Sequence, residues 1–274
     1  VKTDETGSPA ERNPRSSTRH TAASWIGTLL FLPAIVITML GWHPVLFLTR
    51  YLNASLHRRA LDIGIGILIC DLRLVGWKVE LSGFEKLPDH GPVAFLSNHQ
   101  HLFDIPLLMW YLRRYYPKFV AKRELGRGFP CASLILRTGG SALIDRGNAA
   151  QSLREIGRLG ELIERERYAA CIFPEGTRAR QGEMRKFKSA GAARLIESAP
   201  SAAIVPVTID GTWKLSRYNF LPVPWGETVR LVVGEPIRNQ EDREQIIQLA
   251  EERVRAGLNF GSTENFGSGT GVND

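Results

Sequence analysis

Apolar and polar positions divide the chain into three regimes. From Thr21 to Thr49 there is no Asp, Glu, Lys or Arg, and Ile26 to Leu40 is the apolar heart of that run. About 20 apolar residues cross a bilayer, so the run is long enough to do so. Trp25 and Trp42 bracket it as interfacial aromatics would. Pro33, Gly41 and Pro44 disfavour a straight crossing, and arginines flank both sides: Arg12, Arg15 and Arg19 before, Arg50, Arg58 and Arg59 after. A bent anchor in one leaflet suits that symmetry better than a single pass. A buried helix of a soluble domain is the remaining reading. Tyr51 to Val75 is a second, mostly apolar stretch. Its uncharged core, Ile63 to Cys70, is too short to span and suits an interfacial helix beside the first.

From Trp77 onward the pattern changes to short strands alternating with helices. Trp77–Leu81, Pro92–Leu96, Lys118–Ala121, Ser141–Ile144, Tyr168–Phe173, Ala202–Ile209 and Val229–Val233 read as strands. Helical spacing follows Ile105, runs through Ser133–Leu136, and spans Ala149–Arg165, Ala190–Glu197 and Asp242–Leu258. Such alternation predicts a layered α/β domain over residues 77–258. Residues 1–20 are polar and basic and predict a disordered arm. Residues 21–76 form the anchor, and residues 259–274, rich in Gly and Ser, a flexible tail.

Composition narrows the partners. The 274 residues carry a net charge of +7, with a pI near 9.5, which favours an anionic partner. Nucleic acid is the weakest choice, because no binding motif accompanies the charge. Cys70, Cys131 and Cys171 have no paired spacing and read as small buried residues in a reducing compartment.

The strand ending at Leu96 empties into Ser97-Asn98-His99-Gln100-His101-Leu102-Phe103-Asp104, and a helix leaves that loop. Histidine exchanges protons near neutrality, and a carboxylate on its other ring nitrogen fixes the tautomer. His99 and Asp104 can therefore deprotonate a hydroxyl directly. No G-x-S-x-G elbow supplies a serine nucleophile. Two other readings stand beside this one. Asp104 sits where an N-cap would and could only cap the helix. His99, His101 and Asp104 also form an H-x-H-x-x-D string, but no histidine follows them to complete a metal site.

A second group follows another strand, at Pro174-Glu175-Gly176-Thr177-Arg178. Gly176 allows backbone N–H groups to face an anion, Thr177 adds a hydroxyl, and Arg178 a bidentate fork. That composition suits a phosphate. Lys122, Arg146 and Lys188 lie near other strand exits or turns and can converge on the same anion. Glu175 would repel phosphate, so it is expected to orient Arg178 or to bond an acceptor hydroxyl.

These residues resemble the glycerolipid acyltransferases, which include the 1-acylglycerol-3-phosphate (lysophosphatidic acid) acyltransferases. Asn98-His99 with Asp104 is similar to their H-x4-D motif, Gly140–Arg146 to their second block, Phe173–Arg178 to their third and Val205–Ile209 to their fourth. Lys122–Leu125 and Phe187–Gly191 resemble further family segments. His101 stands where many members have serine, Leu143 where phenylalanine is common, and Asp210-Gly211-Thr212-Trp213 departs from the best-known lysophosphatidate enzymes. The resemblance implies an acyltransferase domain with a central mixed sheet, preceded by an N-terminal membrane-embedded helical pair. It implies acyl transfer from acyl-CoA or acyl-carrier protein to 1-acylglycerol-3-phosphate, with those carriers as co-substrates and no bound cofactor or metal. His99 would be the base and Asp104 its orienter. Lys122, Arg146, Glu175, Gly176, Thr177, Arg178 and Lys188 would bind the acceptor. The partners implied are membrane lipids and the lysophospholipid, at the cytoplasmic face of the inner membrane. Another lysolipid, such as lyso-ornithine lipid or lysophosphatidylethanolamine, or a non-catalytic lipid-binding role, are the alternatives.

Overall fold

The computed structural model describes residues 22–128, 130–179, 181–239 and 242–263, the last five by their backbone alone. The proposed arm at 1–20 lies outside the described residues. Seven strands, β1 (Lys78–Ser82), β2 (Val93–Ser97), β3 (Lys118–Lys122), β4 (Ala142–Ile144), β5 (Ala169–Ile172), β6 (Ala203–Asp210) and β7 (Thr228–Val233), form one sheet in the order β1-β7-β6-β2-β5-β3-β4. From β6 through β4 all neighbours are parallel, while β7 runs antiparallel to β6 and parallel to β1. The sheet is therefore mixed, as expected. Its parallel strands all release their loops at the same edge, where α/β proteins gather ligand-binding groups.

Among the described residues seven α-helices accompany the strands: α1 (Ala22–Leu52), α2 (Ala54–Asp71), α3 (Asp104–Tyr111), α4 (Ala132–Thr138), α5 (Ala149–Glu166), α6 (Ser189–Ser198) and α7 (Arg243–Thr263). They cover both sheet faces. Period-two alternation sends Val93 and Phe95 of β2 into one core and Ala94 and Leu96 into the other. The first core takes Phe31 of α1, Ile65 and Ile69 of α2, Leu107 and Leu108 of α3, and Leu136 of α4. The second takes Ile156, Leu159 and Ile163 of α5, Leu195 of α6, and Ile246 and Val254 of α7. Because both faces are covered, every residue of β2 is buried, which explains its uninterrupted apolar run. The tail boundary at Leu258 falls inside α7, whose backbone remains helical through Thr263; residues 264–274 lie outside the described residues.

The N-terminal regimes form an antiparallel helical hairpin. At 31 residues, α1 is about 46 Å long at 1.5 Å per residue, and both Pro33 and Pro44 lie inside it. The expected bend within this run is not where the chain turns back. It turns at Asn53, whose Oδ1 accepts from the amides of Ser55 and Leu56 and starts α2. Across the hairpin, Thr38 donates to Asp71 (3.1 Å) and Trp42 Nε1 to the Ala60 carbonyl (2.7 Å). The Trp42 ring fills the space a side chain at Gly64 would need. Trp42 is thus a packing residue between the helices, not a free interfacial ring. The start of α1 is docked on the loop before β7: Thr28 Oγ1 accepts from Val223 N and Ser24 Oγ from Trp225 N. Among the cysteines only Cys171 is fully buried; Cys70 is exposed on α2. That corrects the reading of all three as buried.

Candidate active site

The loop after β2 is pinned before any chemistry begins. Asn98 is fully buried; its Nδ2 donates to the Ile209 carbonyl and its Oδ1 accepts from the Ile209 amide, both at 2.7 Å. The side chain thereby continues the β2–β6 ladder one step past the strand. His99 then projects with Nδ1 2.8 Å from Asp104 Oδ2. Asp104 is wholly buried, and the same oxygen accepts from the amides of Gln100 (2.7 Å) and His101 (2.9 Å). Thr212 Oγ1 donates to the other oxygen at 2.6 Å. A carboxylate oxygen in this setting only accepts, so Nδ1 carries the proton and Nε2 presents a lone pair. The imidazole is further fixed by stacking on Phe173, with ring centroids 4.1 Å apart and planes 16° from parallel.

Asp104 is not the N-cap expected of it. The cap position is Phe103, which makes no side-chain cap bond, and Asp104 is the first helical residue. Its carboxylate turns back to the preceding loop because three donors converge there.

Glu175 also departs from expectation. It is 1% exposed; Oε1 accepts from the His99 amide (2.7 Å) and Oε2 from the Arg185 amide (2.8 Å). Both oxygens are thus spent on backbone, away from solvent. Glu175 ties the β2 loop to the β5 loop and to the segment before α6, rather than orienting Arg178 or meeting an acceptor hydroxyl. Burial raises its pKa, and the two amides and His99 draw it partly back. Gly176 closes the turn with φ +70°, its amide donating to the Phe173 carbonyl at 3.0 Å. Lys188 comes over this turn: a Cβ at Gly176 would stand 3.3 Å from its Nζ. Thr177 is exposed and Arg178 half-buried.

His101 faces the other way. It is 5% exposed, its Nδ1 accepts from the Phe103 amide (3.2 Å), and its ring lies 5.5 Å from that of Phe220. Burial lowers its pKa to about 4; Asp104 opposes this, while Arg178 and His99 add to it. A neutral His101 thus stands between the charged residues and an apolar cavity of about 370 Å³. Leu32, Ile35 and Met39 of α1, Leu68 of α2, Met109 of α3 and Ile135 of α4 line that cavity. Its volume falls in the range of about 300–1,000 Å³ usual for small-molecule sites.

The acyltransferase family model matches residues 78–210, which contain the sheet edge, the dyad and the Glu175 clasp. Residues 78–210 are an acyltransferase-family domain. The chain is 24% identical over 208 residues to the chloroplastic 1-acyl-sn-glycerol-3-phosphate acyltransferase LPAT1 of Arabidopsis thaliana, covering 76% of this chain and 56% of that one. It is 35% identical over 132 residues to the human 1-acyl-sn-glycerol-3-phosphate acyltransferase beta, covering 48% and 46%. The chain thus spans about half the length of these curated relatives. In three dimensions it is similar to the crystal structure of the 1-acyl-sn-glycerophosphate acyltransferase PlsC from Thermotoga maritima, with TM-score 0.68 at 21% identity over 90% of this chain and 97% of that one. That likeness establishes the shared fold.

Within the acyltransferase domain the remaining cations sit further along the same edge. β3 and β4 lie two and three strands from β2, or about 10 and 14 Å at 4.8 Å per strand. Lys122 ends β3 and pairs with Glu124 at 3.1 Å, both side chains exposed. Arg146, just past β4, also draws on Glu124. The structure therefore gathers His99, Asp104, Glu175, Gly176, Arg178 and Lys188 around β2 and β5, and places Lys122 and Arg146 in a separate exposed cluster. Thr212 and Phe173 were not among the expected site residues. Thr212 lies 108 positions from Asp104 in sequence, and only the β2–β6 pairing brings it close. Its departure from the family pattern was the one local signal.

Proposed function

We propose that this protein transfers a fatty acyl group from an acyl thioester, acyl-CoA or acyl-carrier protein, to the free hydroxyl of 1-acylglycerol-3-phosphate, giving phosphatidic acid. The observation that carries this reading is the His99 imidazole held by buried Asp104 with Nε2 left as a base. Nε2 takes the hydroxyl proton as the alcohol oxygen attacks the thioester carbonyl. The tetrahedral adduct collapses, the C–S bond breaks, and the imidazolium returns its proton to the leaving thiolate. Arg178 and Lys188, at the glycine turn beside the dyad, supply charge for the acceptor phosphate. The apolar cavity beside His101 is the place for an acyl chain. The names and fold of the relatives support the same chemistry.

The hairpin supports a membrane location on the side of the cavity. α1 has a mean hydropathy of 2.0 over an 18-residue window. It exposes Ile26, Leu29, Ile37, Leu40 and Leu48, an apolar surface unsuited to water. Ser24 and Thr49, near opposite ends of α1, are both buried, as are Phe31 and Leu46 between them, so the helix lies along the domain. That favours embedding in one leaflet; the leaflet proposed is the cytoplasmic one of the inner membrane, as the family resemblance implies.

The test is purified protein in detergent with acyl-CoA or acyl-carrier protein, offered a panel of lysolipids, with products read by mass. Acylation of 1-acylglycerol-3-phosphate above the other acceptors is the expected result. Thioester consumption without acceptor dependence, or preference for any other lysolipid, with or without phosphate, overturns it.

A further inference from the structure

Asp104 is held from two directions. All three donors to Oδ2 come from its own loop: His99 Nδ1, Gln100 N and His101 N. Oδ1 is held by Thr212 alone among the contacts described above, from the turn after β6. Bonds to one oxygen leave the carboxylate plane free to rotate about it. A bond to the second oxygen fixes the plane, and with it the lone pair that faces His99.

Thr212 has a second neighbour. Its Oγ1 lies 3.3 Å from Gln100 Oε1, and Gln100 Nε2 is the sole buried side-chain polar atom without a partner among the described residues. Gln100 is 1% exposed and Thr212 fully buried. A hydroxyl has one proton, and the shorter contact to a carboxylate claims it. The longer contact is then a hydrogen bond only if Gln100 presents its amide N–H to Thr212 Oγ1. That orientation also gives the orphan nitrogen its partner.

We propose that Gln100 and Thr212 form a relay, Gln100 Nε2–H to Thr212 Oγ1–H to Asp104 Oδ1, that positions the carboxylate behind His99. The reading of His99 as the acyl-transfer base underlies the catalytic side of this proposal. Successive donors in a buried chain polarise one another, so the relay also sets how much negative charge Asp104 turns toward the imidazole. The Asn98 bonds to Ile209 fix the spacing, since they lock the loop to the strand that carries Thr212. Thr212 and Gln100 are positioning residues; neither meets the substrate.

The experiment compares wild type with Thr212→Val, Thr212→Ser and Gln100→Met. It reads kcat and KM against pH for acyl transfer, and the His99 titration by NMR. Loss of the hydroxyl donor leaves more charge on Asp104 to stabilise the imidazolium. The His99 titration and the acid limb of kcat/KM should therefore both move to higher pH in Thr212→Val. In the same variant kcat should fall about tenfold with little change in KM, the pattern of a lost orienting contact. Thr212→Ser should restore both, and Gln100→Met should shift the same way by less. The other charged or titratable groups near His99, namely Glu175, His101 and Arg178, are unchanged in every variant. Wild-type titration and kcat in Thr212→Val, or Thr212→Ser no better than Thr212→Val, overturns the relay. Should Thr212→Val fail to fold by thermal melting, an unmoved His99 titration in Gln100→Met overturns it instead. Absence of acyl transfer in wild type would defeat the reading of His99, while the NMR titration still decides the relay.

Discussion

The exits of β2 and β5 differ from those of β3 and β4, though all four open on one edge. At the first pair the buried side chains are tied: Asn98 to β6, Asp104 to four donors, and Glu175 to two amides from separate segments. At the second, Gln151 and Ser152 hold the backbone of the β4 exit, but the cations themselves stay exposed: Lys122 pairs with exposed Glu124, and Arg146 acts on that carboxylate only through its field. Buried bonds hold atoms to tenths of an ångström, and exposed ion pairs do not. The edge is rigid around the proposed base and loose around the two cations, Lys122 and Arg146, proposed to attract an anion.

Breaking the rigid side should have the larger effects. His99→Ala should lower kcat by about 10²–10⁴-fold, the usual worth of a general base, without altering the thermal melt appreciably. Asp104→Ala should cost as much activity and also stability, about 1–3 kcal/mol, because buried amide and hydroxyl donors lose their acceptor. The contrast between the two melts checks that Asp104 has both roles. Next in size, Arg178→Ala should raise KM for a phosphate-bearing acceptor about tenfold with kcat nearly unchanged. A fall in kcat alone would assign Arg178 to the transition state instead.

How much of this was legible beforehand follows the same division. The dyad could be read because His99 and Asp104 are five positions apart and need only one loop to meet. The strands could be read because Val93 to Leu96 and Ala203 to Ile209 are apolar enough to be buried on both faces. Glu175 was misassigned because its partners, the amides of His99 and Arg185, come from segments that only the fold juxtaposes. Backbone donors leave no mark in a sequence. Trp42 was misread for a related reason: an aromatic at the rim of an apolar run is identical in sequence whether it meets lipid or Gly64 of a second helix.

His101 separates burial from catalysis by pH. Its ordinary pKa of 6.5 is held at about 4 in the folded protein, first by burial. The native state therefore binds fewer protons than the unfolded chain between those values. Stability from this group is complete above pH 6.5, is lost as pH falls toward about 4, and changes no further below. The full loss is of order 3 kcal/mol. His101→Ser removes the Phe103 amide's acceptor and should lower stability somewhat at neutral pH. It should also flatten the acid decline, so wild type and variant converge as pH approaches 4. Parallel melting curves across that range would show that His101 does not titrate as its burial requires.

The smallest expected effects test the loose side. The Lys122–Glu124 pair is exposed at both ends, 46% and 67%, so it is worth little to folding. Its meaning for binding depends on where Lys122 spends its charge. If Glu124 holds the cation away from an incoming phosphate, Glu124→Gln frees Lys122 and Arg146 together, and KM for an anionic acceptor should fall about twofold at low salt. Lys122→Ala should raise it by a similar factor. Both changes should fade near 1 M salt, where the Debye length of about 3 Å screens solvated charges. The Arg178→Ala effect should survive that salt, because a half-buried guanidinium against a bound phosphate is screened far less. Equal salt sensitivity at the two clusters would erase the distinction between a built site and a surrounding field. A salt-resistant loss of kcat in Lys122→Ala would move Lys122 to the reacting atoms and extend the rigid site across two more strands.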